Sequence, residues 1–253
     1  MRERYFSYRI DYMFEAEEFK IFGFEHLLTI FLIIAFSLLC PFLFKRSSET
    51  LKNNIGLGIA TLIILNETLK PFYYPALYPE RFFFLSTLPL HLCNLASLFV
   101  AIFFITKKRF FYNISFFWGI SGVLMALTQP DYPYDFPHLH FILFNFSHGL
   151  LLFAICFASI SMKNIPDFES YKDTIFYSIP IVLIIYPINL LINFFSTDVK
   201  ANYMYLLEFP LGENLTAFMP DPPLHLLIFV PIALLLFSIT YLPFYLKERF
   251  FSQ

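Results

Sequence analysis

The chain has 253 residues, of which 58% are hydrophobic and only 14% charged, and its mean hydropathy is +0.65. A soluble domain carries about 25% charged residues and has no interior large enough for this much apolar surface, so composition points to an integral membrane protein. The net charge of −2 gives no basic field for nucleic acid, 7 glycines leave little for phosphate loops, and 3 scattered cysteines make neither a disulfide framework nor a zinc spacing.

A spanning helix takes about 20 mostly apolar residues. Seven runs qualify, which predicts an all-α, polytopic membrane helix bundle of about seven transmembrane helices. Residues 1–23 precede the first run; there Tyr5 to Phe14 mixes aromatics with Arg9 and Asp11 and reads as an interfacial helix or a floppy tail. Span one runs from Phe24 to Phe44 and stops at Lys45-Arg46; it is too long for a signal-peptide core, and no small-residue cleavage site follows. Span two starts near Ile55 and reaches Tyr73, ended by Pro71 and Pro75, and span three covers Phe82 to Ile105 before Lys107-Lys108-Arg109. Span four is Phe110 to Leu127, closed by Gln129-Pro130; the fifth is Leu139 to Met162, the sixth Thr174 to Phe195 and the seventh Leu224 to Leu246. Residues 24–246 thus form one membrane domain, with 247–253 as a short tail.

The loops after spans one, three and five, with the tail, hold ten Lys and Arg against seven on the other side. That bias predicts a multi-pass protein of the cell membrane with its N-terminus outside and its C-terminus in the cytoplasm. Aromatic residues make up 21% of the chain and read as lipid-facing bulk and interface belts. No internal repeat is visible, and the sequence carries no signal of oligomeric state.

Polar side chains inside spans cost roughly 2.5–3.5 kcal/mol each, so they mark the bundle interior and often the site. Span two places Asn66, Glu67 and Lys70 on one face, an ion pair that serves either packing or function. Span three carries Thr87, Pro89, His91, Cys93 and Asn94. In a continuous helix His91 and Cys93 stand about 200° apart, which makes His91 a poor base for Cys93, whereas His91 and Asn94 share a face. Span five carries His140, Asn145, Ser147, His148 and Gly149, with Asn145 and His148 on one face; span six carries Tyr186, Asn189 and Asn193 beside Pro187. Ser115, Gly119 and Gly122 in span four read as a packing stripe. Gln129, Asp131 and Asn202 add polar groups in the loops. The candidate binding residues are therefore His91, Asn94, Glu67, Asn145, Asn189, Gln129, Asp131 and Asn202.

The spans hold no paired Asp and no Asp-rich signature of a lipid phosphotransferase. His91, His140, His148 and Glu67 have no diagnostic metal spacing, so no metal or other cofactor is expected. A thiol nucleophile with a His from another helix fits the residue types most directly. Cys93 and His148 lie at comparable depths, as such a pair requires. Polar faces on four spans would also suit a proton-linked or small-solute transporter, against which stand the few glycines, the missing repeat and the absence of paired half-helix breaks.

Leu88-Pro89-Leu90-His91-Leu92-Cys93-Asn94, Leu127-Thr128-Gln129-Pro130-Asp131, Phe146-Ser147-His148-Gly149 and Asn202-Tyr203-Met204-Tyr205-Leu206 occur in this order. Together they resemble the YwaF-like bacterial membrane proteins, which are similar to the eukaryotic transmembrane protein 164 family. The resemblance implies a polytopic fold and an acyltransferase that moves fatty acyl chains between membrane phospholipids. It implies Cys93 as the nucleophile and His148 as the base.

Overall fold

The computed structural model describes residues 17–77, 84–130, 132–196, 200–209 and 219–251. Asp131 and the segment from Tyr5 to Phe14 lie outside the described residues. The described residues form seven α-helices and no strand: α1 Phe24–Leu43, α2 Glu49–Leu77, α3 Leu92–Thr106, α4 Arg109–Thr128, α5 Leu139–Cys156, α6 Phe168–Phe195 and α7 Leu226–Phe251. A π-helical turn, Phe157–Ser161, continues α5. Six of the helices, all but α3, are long and apolar enough to cross a membrane.

The third span differs from expectation. Helix α3 has 15 residues, about 22 Å at 1.5 Å per residue, against roughly 30 Å of hydrocarbon. Before it, Phe84–Ser86 forms one 3-10 turn and residues 87–91 are irregular. Pro89 supplies no N–H and pushes Leu88 out of the helical region. Irregular backbone at this depth survives only where protein satisfies it. Tyr203 does so: its hydroxyl accepts from the Leu88 N–H at 2.9 Å and donates to the Leu85 carbonyl.

Other boundaries shift for local reasons. Helix α2 continues through Pro71 and Pro75, as α6 does through Pro180 and Pro187 and α7 through Pro231 and Pro243. Each proline deletes one ladder bond, and packed neighbouring helices carry the rest. Helix α6 starts six residues before the expected Thr174, because Asp167 and Ser170 form a capping box, with Ser170 N–H donating to Asp167 Oδ1 at 2.9 Å. The hydrogen bond from the Ser170 hydroxyl, ahead of the backbone bond and the Arg109 charge, holds the Asp167 carboxyl below its ordinary value.

Helix α4 is the axis of the bundle. In its spanning window 61% of residues are buried, against 17% in α1 and α6 and 11% in α7. Tyr112, Phe117 and Trp118 from α4 pack with Phe104 of α3 and Leu151 and Ile155 of α5. The buried Trp118 indole donates to Ser178 Oγ at 2.8 Å. Helices without a solvent-driven contact associate through close approach, and α4 supplies it twice. A Cβ at Gly119 would collide with Ile155, and one at Gly122 would stand 2.6 Å from Cys93 Sγ.

Candidate functional site

The polar residues of α2, α3 and α5 meet in one network. Lys70 Nζ donates to both oxygens of Glu67 at 2.7 Å, and the two side chains are only 9% and 5% exposed. Asn94 Nδ2 donates to Glu67 Oε2 at 3.0 Å, and Asn66 Nδ2 reaches Oε1 at 3.4 Å. Asn66 also exchanges hydrogen bonds with Ser147 of α5, donating at 3.0 Å and accepting at 3.2 Å. A carboxylate has about four lone-pair sites, and these contacts occupy them. Charge and hydrogen bonding are balanced inside a low-dielectric interior, where an unmatched group would be costly.

Cys93 is the second residue of α3, beside Asn94, with its sulfur on Gly122. It lies within electrostatic range of Glu67 and Lys70, as His91 and His148 do of Lys70 and of each other. His91 is the N-cap of α3 in extended conformation (φ −69°, ψ 153°) and forms no capping bond. The expected 200° separation of His91 and Cys93 therefore does not apply, because the two do not share a continuous helix. The first helical carbonyl bond is Leu95 N–H to His91 O at 3.0 Å. The N–H groups of Leu92, Cys93 and Asn94 precede it and have no intrahelical acceptor.

The two histidines hold opposite tautomers. His148 Nδ1 lies 2.8 Å from the Phe144 carbonyl; a carbonyl only accepts, so Nδ1 carries the proton and Nε2 is the basic nitrogen. Asn145, which shares a face with His148, bonds elsewhere, as does Asn189. His91 Nδ1 accepts from the Met204 N–H at 3.4 Å, which puts its proton on Nε2. Its ring packs against Tyr203 and Tyr205 with centroids 5.2 and 5.5 Å away.

The strap at 200–209 covers this region. Asn189 Nδ2 donates to the Tyr203 carbonyl at 3.0 Å, and Asn189 Oδ1 accepts from the Tyr203 N–H at 2.8 Å. Asn193 grips Ala201 in the same two-point manner, at 3.0 and 2.6 Å. Asn202 folds the strap on itself, accepting from Leu207 N–H at 3.0 Å and donating to the Glu208 carbonyl at 2.8 Å. Met204 and Tyr205 both have positive φ, 57° and 52°. This strain is tolerated only where surroundings over-determine the backbone. His225, fully buried, adds a donor from Nε2 to the Tyr205 carbonyl at 2.9 Å.

Of the sequence candidates, Glu67 and Asn94 share a hydrogen bond, and Cys93, His91 and His148 lie within electrostatic range of the Glu67–Lys70 pair. Asn189 and Asn202 hold the strap. Asn145 donates to the Phe141 carbonyl at 2.9 Å and to Tyr132 Oη at 3.3 Å. Gln129 is the C-cap of α4, and Asp131 is outside the described residues. Sequence reasoning missed Tyr203 and His225 as structural partners. Tyr203 sits in one of the quoted motifs, but its link to Leu85 and Leu88 crosses more than a hundred residues. Among the described residues no group of three or more His, Cys, Asp or Glu could hold a metal ion.

The TMEM164 family matches this chain over residues 21–241. An uncharacterized protein of Treponema pallidum (strain Nichols) is 28% identical over 157 residues, which span 62% of this chain and 62% of that protein. The match thus covers less than two thirds of that relative's length. No solved structure matches the chain.

Proposed function

This chain belongs to the TMEM164 family, and from that premise we propose that it transfers fatty acyl chains between membrane phospholipids through Cys93 and His148. The reading places it in the YwaF-like bacterial branch, with 24–246 as the transmembrane unit in the cell membrane, the N-terminus outside and the C-terminus in the cytoplasm. The observation that carries it is the position of Cys93 on the second residue of an uncapped helix start. First-turn N–H groups, which have no intrahelical acceptor, and the positive end of the helix dipole favour negative charge there, and both a thiolate and a tetrahedral oxyanion are negative.

In this mechanism His148 Nε2 takes the Cys93 thiol proton, and the sulfur attacks the ester carbonyl of a donor phospholipid. The N–H groups at the start of α3 stabilise the oxyanion. Collapse breaks the ester C–O bond, the leaving oxygen takes the proton from His148, and the acyl group stays on sulfur as a thioester. The hydroxyl of an acceptor lipid then loses its proton to His148 and attacks that thioester. The thiolate leaves and recovers the proton. The Glu67–Lys70–Asn94 network holds the start of α3 against α2. His91, tied to the strap, presents its Nε2–H toward the substrate.

The test is acyl exchange between a chain-labelled donor phospholipid and a lysophospholipid in liposomes carrying the purified protein. Cys93→Ser abolishes exchange, and His148→Gln lowers it by about 10²–10⁴-fold, the usual contribution of a general base. Cys40→Ser and Cys156→Ser leave it unchanged. Full exchange by Cys93→Ser refutes the mechanism. A second reading, a carrier, rests on the broken third span, since discontinuous helices line transport sites. Proton or solute flux in the same liposomes, without acyl exchange, would select that reading.

A further inference from the structure

The basic residues that follow spans one, three and five are separated in sequence, and the fold gathers three of them. Lys52 of α2, Lys107 at the end of α3 and Lys163 after the π-helical turn of α5 all lie within electrostatic range of Glu49. The elements that carry them are tied together at this end of the bundle. Ser161 Oγ donates to the Pro41 carbonyl at 2.6 Å, and the Phe44 and Phe157 rings are 6.1 Å apart. The Lys52 side chain is only 5% exposed, and its Nζ bonds Glu49 Oε1 at 2.8 Å. That pair balances itself. It leaves Lys107 and Lys163, both exposed, without an ion pair among the described residues. Lys45, Arg46 and Lys108, exposed and equally unpaired there, extend the positive field.

The backbone beneath the two exposed lysines adds a second observation. Lys107 and Lys163 have φ of 58° and 57°, the left-handed region that helix ends usually give to glycine. A cation also suits a helix C-terminus, but it can serve there from an ordinary residue of the last turn. Neither α3 nor the π-helical extension of α5 has a basic residue in its last turn. Lysine therefore stands at both positions against the preference of the backbone, which leaves the side chain as the reason.

Leu43, Leu51 and Ile105 are exposed within a few residues of these cations, so the charges stand where the helices leave hydrocarbon, at the level of lipid phosphates. We propose that Lys107 and Lys163 bind the headgroup phosphate of an anionic phospholipid whose acyl chains lie against that apolar surface. Three ammonium groups against the one carboxylate of Glu49 complement a headgroup of net negative charge. A phosphatidylcholine headgroup brings its own cation and is net neutral. Along α3, Lys107 stands fourteen residues from Cys93, about 21 Å at 1.5 Å per residue. This lipid is therefore distinct from one reacting at Cys93, and the site does not depend on that reading.

The full-length protein in detergent micelles, titrated with phosphatidylglycerol and phosphatidylcholine of identical chains and read by native mass spectrometry, tests the site. Phosphatidylglycerol should bind preferentially, and equal binding of the two lipids overturns the proposal. A lysine near an anionic headgroup is worth about fivefold, so Lys107→Gly combined with Lys163→Gly should weaken phosphatidylglycerol binding about 25-fold. Glycine accepts the left-handed backbone, so this double variant should match or exceed the parent's thermal midpoint in the same detergent. Lys107→Arg combined with Lys163→Arg keeps both charges and should keep the preference. Unchanged phosphatidylglycerol binding by the glycine variant overturns the assignment. So does an equal loss in Lys172→Gln combined with Lys247→Gln, which removes the same charge elsewhere and would mark net charge alone. Millimolar inorganic phosphate should displace no more phosphatidylglycerol than sodium chloride of equal ionic strength; greater displacement would make the ligand a free anion and refute the lipid assignment.

Discussion

Replacing Glu67 by Leu isolates the energetics of the polar network. Both partners of the ion pair are less than a tenth exposed, and Nζ meets both carboxylate oxygens at 2.7 Å. Deleting one member of such a pair leaves a buried charge and costs about 3–5 kcal/mol. Asn94 loses an acceptor at 3.0 Å and Asn66 a weaker one at 3.4 Å. Each adds about 0.6 kcal/mol on the scale measured for hydrogen bonds inside membrane proteins. The total, about 4–6 kcal/mol, rivals the lower end of whole-domain stability, about 5–15 kcal/mol. Denaturant unfolding in mild detergent, read by near-UV circular dichroism, should show that loss for Glu67→Leu. The double variant Glu67→Leu with Lys70→Leu should recover most of it, because no ammonium then remains buried and unpaired. A loss below about 1 kcal/mol in the single variant, or a double variant no better than the single, would refute the reasoning.

Cysteine-accessibility labelling of single-cysteine variants at Lys45 and Gln129 should report opposite sides of the membrane; labelling of both from one side sinks the topology. Asn189→Ala removes both partners of the Tyr203 backbone and should cost roughly 2 kcal/mol. Amide exchange should accelerate across the strap at 200–209, and unchanged protection there would show that Asn189 does not hold it. Asp167→Ala should cost about 1 kcal/mol through loss of the α6 cap. Because the folded carboxyl is held below its ordinary value, this contribution is fully present above the unfolded value of about 3.9. It disappears as pH falls further, through the depressed folded value. The gap between parent and variant should therefore start to narrow as pH falls below about 3.9 and close only below the depressed folded value, and a gap that persists in stronger acid contradicts the assignment.

The membrane class, the all-helical fold and the location of the polar residues were legible in the sequence, because each rests on a signal contained within a single segment. An apolar run of some twenty residues can satisfy its backbone in hydrocarbon only as a helix, and Asn66, Glu67, Lys70 and Asn94 could not face lipid at tolerable cost. The i,i+3 spacing of Glu67 and Lys70 alone was enough to pair them. Packing at Gly119 and Gly122 was likewise readable from small residues on one helix face.

What hydropathy could not show was where the third span stops being a helix. The run from Phe82 to Ile105 is mostly apolar and holds no Asp, Glu, Lys or Arg, so it reads as one span. Helix α3 nevertheless begins only at Leu92, because Pro89 weakens helix there and the Tyr203 hydroxyl, from the strap that follows α6 in the chain, satisfies the backbone that irregularity exposes. That choice moves Cys93 from mid-helix to a helix start and turns His91 from a helical neighbour into its N-cap. The sequence by itself determined which side chains must be hidden from lipid, since the bilayer penalises each one locally. Only the tertiary structure decided which of them meet and that Cys93 stands in the first turn of a helix, since those contacts join segments whose sequence separation carries no periodic signal.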